Sequence, residues 1–294
     1  VKLLVLGSPE SWYLADLRRA AADRHEIVSG TFRHMAASVG SNAAAVVTGE
    51  ADFAQFDAVL VRTMAAGSLE QVVFRMDALA RAQDAGQIII NPPRAIEAAV
   101  DKYLALVRLE AAGLPVPRTI VCQSSQQAME AFARLGGDVV IKPLFGAEGR
   151  GITRVNDEAL LLRACRMLED LRAVLYLQEF VPHCGYDIRA LVIGQRVYGI
   201  QRRSESDWRT NVSRGATASP FRLDPQMEDY ALRAAAAVGA PLAGVDLLPA
   251  ADGRRLVLEV NAVPGWRATA QALDTDIAAE VLAYVESQVH RRGV

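Results

Sequence analysis

Two apolar runs, Gly244-Val245-Asp246-Leu247-Leu248-Pro249 and Leu256-Val257-Leu258-Glu259-Val260-Asn261, flank the pair Asp252-Gly253. An Asp-Gly pair between such runs is a strong local signal for a tight β-hairpin. With that pair at the turn centre, residues whose numbers sum to 505 face each other, and Asp246 meets Glu259. The strand period of two puts Asn261 on the same face. Two carboxylates and one amide oxygen are thus gathered on one hairpin, with opposed Cβ atoms roughly 5 Å apart. Opposed like charges destabilise a hairpin. A hard divalent cation would reward them, since Mg²⁺ takes one or two carboxylates with waters and phosphate oxygens. The competing reading is a surface hairpin whose acids face water.

The 294 residues can bury a sizeable core and divide into two or three units. A net charge of −2 provides no basic field for nucleic acid, so no nucleic-acid partner is expected. Cys122, Cys165 and Cys184 are odd in number and form no Cys-x-x-Cys pair, which fits a reducing compartment and a cytoplasmic location. The apolar start, residues 1–7, is too short for a signal-peptide core. No apolar run approaches the roughly 20 residues of a membrane span, so no membrane partner is expected.

Residues 1–92 alternate strand-like and helical runs: strands at 3–6, 58–61 and 88–90, helices at 12–23 and 69–85. This predicts an open α/β unit. The first turn, Gly7-Ser8-Pro9-Glu10, is no dinucleotide fingerprint. Arg62 ends a strand where such sheets bind ligands, although a solvated arginine is the commoner outcome. Asn91-Pro92-Pro93 marks a boundary. A helix over 95–112 follows and carries Lys102, with Gly113 as its stop. Next, Val139-Val140-Ile141-Lys142 leads a strand into a loop holding Gly146, Gly149 and Gly151. Glycines let backbone N–H groups approach phosphate oxygens, and the lysine adds charge. Residues 187–193 and 196–200 read as a hairpin around Gly194-Gln195. Arg202, Arg203, Arg209 and Arg214 then fall close together with Asn211 and Gly215, in a pattern suited to phosphate. A last helix covers 276–289, capped by Asp274 or Thr275.

In this order the motifs resemble the ATP-grasp ligases, and among them the RimK-like α-L-glutamate ligases. The matching pieces are Asp101-Lys102, the lysine and glycine loop at 142–151, Gln178-Glu179-Phe180-Val181, and Asp187-Ile188-Arg189. Arg202-Arg203, Trp208-Arg209-Thr210-Asn211, Arg214-Gly215, Asp246 and Glu259-Val260-Asn261-Ala262 complete the set. The resemblance implies an ATP-grasp fold of mixed α/β and α+β class. Residues 1–92 would form a pre-ATP-grasp domain, 93–181 a lobe with the glycine-rich loop, and 182–294 a lobe with the magnesium site.

It also implies roles. Lys102 and Lys142, with Gly146, Gly149 and Gly151, would contact ATP phosphates. Gln178, Glu179 and Phe180 would hold adenine, Asp187 the ribose, and Arg209 and Asn211 the nucleotide. Asp246, Glu259 and Asn261 would ligate Mg²⁺, with Mn²⁺ as a substitute. Arg189 and Arg203 would neutralise the transferring phosphoryl group, with Arg202 a further candidate. Arg214, Gly215 and Trp266 would face the acceptor, where Trp266 either stacks on a flat ring or fills core. The implied activity is ATP-dependent addition of L-glutamate to a carboxylate through an acylphosphate. The acceptor would be a pterin-like cofactor in a homo-oligomeric enzyme, dimer or tetramer. A protein C-terminus as acceptor, or a non-catalytic ATP-binding module, are the alternatives.

Overall fold

The N-terminal alternation folds as a parallel sheet, seen in a computed structural model that describes residues 1–40, 45–146, 151–205, 207–210 and 215–292. In chain order come β1 (Lys2–Leu6), α1 (Trp12–Ala21), β2 (Glu26–Gly30), a small antiparallel sheet of β3 (Met35–Ala37), β4 (Val46–Thr48) and β5 (Ala51–Asp52), then β6 (Ala58–Val61), α2 (Leu69–Asp84) and β7 (Ile88–Ile90). The parallel strands lie in the order β2-β1-β6-β7. Ser68 and Gln71 form a reciprocal capping box at the start of α2.

The helix expected over 95–112 is two helices, α3 (Pro93–Val100) and α4 (Lys102–Ala111). Asp101 breaks it by taking an extended conformation and capping α4, its Oδ1 accepting from Tyr103 N at 2.9 Å and Leu104 N at 3.0 Å. The break aims Lys102 out of the first turn of α4. A second sheet follows from β8 (Thr119–Cys122), β9 (Val139–Lys142), β10 (Thr153–Val155) and β11 (Leu175–Glu179), ordered β10-β9-β11-β8. It is covered by α5 (Ser125–Arg134) and α6 (Glu158–Asp170) through a core that includes Ile141, Leu161 and Leu177. Strands β9 and β10 bracket the glycine loop.

The largest sheet has β12 (Tyr186–Ile193), β13 (Arg196–Arg203), β14 (Thr217–Pro220), and, after α7 (Pro225–Val238), β15 (Leu242–Pro249) and β16 (Arg255–Asn261). Its order is β14-β13-β12-β15-β16. One face, including Ile188, Ala190, Val245, Leu247, Val257 and Val260, packs on α3, α4 and α7. Helices α8 (Arg267–Leu273) and α9 (Ile277–Arg292) end the chain; α8 has no counterpart in the sequence reading, and the Asp276 side chain accepts from Ala279 N at the start of α9. Helix α9 packs on α1, and one core joins Leu3, Leu17, Leu191, Leu242, Trp266 and Val281. The N-terminal sheet is therefore joined through this core to β12 and β15, interior strands of the largest sheet. Asn91 reinforces the joint, donating to Leu242 O at 2.6 Å and accepting from Leu242 N at 3.0 Å.

Among the described residues, no helix is long and apolar enough to cross a membrane.

Candidate active site

Asp246 and Glu259 are opposed in register, and Asn261 faces Gly244, as the hairpin arithmetic requires. The route differs. The turn spans Ala251–Gly253, with Ala250 N donating to Arg254 O at 2.8 Å and Gly253 at φ 89°, a backbone state that favours glycine. Near the turn, pairs therefore sum to one less than expected. A bulge between Asp246 and Leu247 restores the count, with Leu258 as the extra residue. Val257 and Val260, three apart, consequently both reach the core.

The polar face of the sheet collects the charges. In register, Arg189 sits beside Asp246 on one side and Glu259 flanks Asp246 on the other, while Asp187 faces Arg202 across the neighbouring pair. Arg202 grips Asp187 with two hydrogen bonds, Nε to Oδ1 at 2.7 Å and Nη2 to Oδ2, and its Nη2 lies 3.0 Å from Asp246 Oδ2. Arg189 Nε lies 2.6 Å from Asp246 Oδ1, off the angle of a hydrogen bond, and its Nη2 donates to Oδ2 at 3.2 Å. Burial opposes the charge of Arg202, but Asp246 and Asp187 outweigh it and raise the guanidinium pKa. Burial likewise pushes the Asp187 carboxyl up, against the pull of Arg202. Glu259 makes no ion pair at contact distance among the described residues.

Opposite these acids stand two lysines. Lys142 Nζ donates to Gln178 Oε1 at 2.6 Å, and burial lowers its pKa to about 8 despite the attraction of Glu259 and Asp246. Lys102 Nζ donates to Gly146 O at 2.7 Å, and burial lowers its pKa against the pull of Glu259 and Asp101. The glycine loop is thus tied at its near end to α4. Lys142, Gln178, Asp187, Asp246 and Glu259 line a cleft of about 710 Å³, part of it open to solvent. Glu179, Phe180, Trp208 and Arg209 form its other end. There Arg118 Nε bonds Glu179 Oε2 at 2.8 Å, and this pair outweighs burial to lower the carboxyl pKa. The Arg154 guanidinium lies 3.5 Å from the Phe180 ring centre, with Trp208 edge-on at 5.7 Å. Arg209 Nε bonds Asp207 Oδ2 at 2.8 Å and its Nη1 donates to Ile152 O at 3.1 Å, which joins the loop after β13 to the far end of the glycine loop.

Several expected positions lie elsewhere. Arg203 faces solvent, its Nη1 3.3 Å from Cys184 O and its guanidinium over the Tyr186 ring. Alternation along β13 turns Arg202 into the site and Arg203 out of it. Trp266 does not face the cleft. It is wholly buried, edge-on to Tyr13 at 4.9 Å, with Nε1 donating to Asp16 Oδ2 at 2.9 Å. Arg62, far from solvated, is 4% exposed against the same rings. Gly151 and Gly215 are exposed at the ends of their loops, and the Asn261 amide oxygen accepts from Val263 N at 2.8 Å. Gly149, Asn211 and Arg214 lie outside the described residues. Arg118 has no place in the sequence pattern and Thr210 appears there without a role, because their partners Glu179 and Asp187 are 61 and 23 positions away; the central place of Arg202 is indicated by hairpin pairing around Gly194-Gln195.

The acid pair fits a hard cation: two opposed carboxylates, one without an ion pair, and an amide oxygen give the all-oxygen donor set such ions take.

Comparison with known proteins gives the family. A profile of the RimK-like ATP-grasp domain matches residues 99–285. The chain is 32% identical to the tetrahydromethanopterin:α-L-glutamate ligase of Methanosarcina acetivorans, over 97% of this chain and 98% of that one. It is 30% identical to a probable α-L-glutamate ligase of Legionella pneumophila, over 98% and 96%. Among solved structures it is similar to the ATP-grasp ligase PsnB complexed with a minimal precursor, at TM-score 0.77 and 26% identity over 97% and 98% of the chains. A RimK-domain ATP-grasp protein of Sphaerobacter thermophilus shares the fold at TM-score 0.75 and 23% identity, over 97% and 99%. The chain therefore belongs to the RimK-like ATP-grasp family and is an ATP-dependent ligase.

Proposed function

We propose that this ligase adds L-glutamate to the carboxylate of a small-molecule acceptor of pterin-like type, through an acylphosphate. The observation that carries the reading is the in-register pair Asp246 and Glu259, set on the cleft wall with Lys142 lining the same cleft. Support for the acceptor class is the likeness to tetrahydromethanopterin ligases along nearly the whole chain; buried Trp266 adds nothing to it. A peptide carboxylate is the second reading, favoured by the likeness to PsnB, which has been seen with a minimal precursor and, in another structure, with a precursor peptide.

In this reading residues 1–92 form the pre-ATP-grasp domain, and ATP lies between the 93–181 and 182–294 lobes. The adenine occupies the end of the cleft at Glu179, Phe180 and Trp208, and the phosphates reach Lys142 and Lys102. Asp246, Glu259 and Asn261 would hold Mg²⁺, which neutralises charge on the phosphate oxygens when bound. An acceptor carboxylate oxygen attacks the γ-phosphorus and ADP leaves. The amine of glutamate then attacks the acyl carbon, and inorganic phosphate departs with that oxygen. Lys142 and Arg189 stabilise charge on the transferring group, which is where a ligase of this kind gains most of its rate. Arg202 keeps Asp187 and Asp246 in place.

The test is ADP release by the purified chain with ATP and Mg²⁺, supplying glutamate and carboxylate acceptors singly and together. Release that requires both, with a product heavier by one glutamyl unit, supports the reading. ATP binding without turnover in any combination makes the chain a nucleotide-binding module.

A further inference from the structure

Arg62 follows β6 at the carboxyl end of the parallel sheet, where the order β2-β1-β6-β7 reverses direction. Its guanidinium carbon lies 4.3 Å from the Trp266 ring centre and 4.9 Å from that of Tyr13. Nη2 donates to Pro264 O at 2.7 Å, whereas Nε and Nη1 are buried without a hydrogen-bond partner. Among the described residues no carboxylate pairs with it. Burying an unpaired cation is costly, and a methionine of similar length would fill the same slot without that cost. The charge therefore calls for a role that packing does not supply.

The carbonyl that Arg62 holds belongs to the turn at residues 262–265, directly after Asn261. Within this turn Val263 N fixes the Asn261 amide oxygen. On its far side the turn presses on Gly244: a Cβ there would lie 3.2 Å from Pro264 Cβ and 2.3 Å from Arg189 Nη1. Gly244 therefore separates the turn from the guanidinium that grips Asp246, with no room for a side chain between them. Asn91 ties the start of the turn by donating to Ala262 O, so what Arg62 adds is the setting of its second half.

We propose that Arg62 is a positioning residue for the metal end of the site: through the Pro264 carbonyl it sets the Asn261 amide oxygen and the place of Arg189. The inference rests on reading Asp246, Glu259 and Asn261 as the metal site. Groups that orient metal ligands typically change metal affinity by on the order of 10–100-fold when removed.

The experiment is calorimetric titration of ADP into the full chain, with Mg²⁺ and with EDTA. The ratio of the two affinities measures metal coupling without turnover. In Arg62→Met the ratio is expected to fall toward one, while ADP affinity in EDTA stays within about twofold, because Phe180 and Trp208 belong to other elements. Arg62→Lys, which keeps the charge and a donor, is expected to lie between. A wild-type ratio in Arg62→Met, or equal weakening in both solutions, would overturn the inference and leave Arg62 as packing. Should Arg62→Met fail to fold, Arg62→Lys decides by the same ratio. Wild-type protein with no metal coupling would instead remove the metal reading itself, and this inference with it.

Discussion

Replacing Arg202 by methionine removes the cation that bridges Asp187 and Asp246 and leaves both carboxylates in a buried setting. Arg202, Asp187 and Asp246 are 5%, 4% and 7% exposed. Removing one partner of such a buried pair costs about 3–5 kcal/mol, most of it from the charge left behind. The loss should depend on pH, and the sign follows from Asp187. Burial and Asp246 both raise its carboxyl pKa, and losing Arg202 removes the chief opposing group while the hydrogen bond with Thr210 stays. A carboxyl whose folded pKa lies above its unfolded value favours the folded state most below the unfolded pKa. That advantage disappears as pH rises through the folded pKa. The gap between variant and wild type should therefore be full at pH 7 and shrink as pH falls toward the ordinary aspartate value of 3.8. Each unit of extra elevation corresponds to about 1.4 kcal/mol. Urea unfolding followed by tryptophan fluorescence at several pH values measures it. The double variant Asp187→Asn with Arg202→Met should recover part of the loss, since it removes both sides of one pair. A loss below about 1 kcal/mol, or a gap that widens on acidification, would refute the reasoning.

Four further outcomes follow. Arg189→Met should lower kcat by about 10²–10³-fold if Arg189 stabilises the transferring phosphoryl group, whereas solvent-facing Arg203→Ala should stay within about threefold; steady-state kinetics that reversed this order would return Arg203 to the site. Burial holds Lys142 near pKa 8 and a bound phosphate must raise it, so ADP binding above pH 8 should take up a proton and weaken as pH rises. Calorimetry in buffers of different ionisation enthalpy detects that proton, and Lys142→Met should abolish it. Trp266→Phe should cost about 1–3 kcal/mol in unfolding free energy with acceptor KM unchanged; altered acceptor preference at full stability would put the indole back at the substrate. Glu259→Gln should lose turnover by more than about 100-fold while its circular dichroism and melting temperature match wild type; retained activity would remove Glu259 from the metal set.

The acid pair could be read from sequence because strand pairing is arithmetic once a turn is located. Here two departures cancelled, a three-residue turn and a one-residue bulge, and Asp246 still met Glu259. The same arithmetic around Gly194-Gln195 pairs Asp187 with Arg202 and leaves Arg203 opposite Tyr186, so the choice between the two arginines was present in the sequence. Local propensity did not reveal the break at Asp101, since residues 95–112 are mostly helix formers and a single aspartate is tolerated inside a helix. The break depends on a cap and on the tertiary position of Lys102 beside Gly146. Trp266 and Arg62 were indeterminate for a different reason: they are placed by partners 250 and 202 positions away, which no local pattern encodes.

In the proposed reaction an acceptor carboxylate is activated as an acylphosphate in the cleft between Lys142 and Asp246–Glu259. The direct measurement uses an acceptor that supports turnover, labelled with ¹⁸O in its reacting carboxylate, and follows the label by mass spectrometry of the released phosphate. Activation through an acylphosphate leaves one ¹⁸O in inorganic phosphate for each amide formed, with ADP as the other product. Unlabelled phosphate, or AMP in place of ADP, would contradict it.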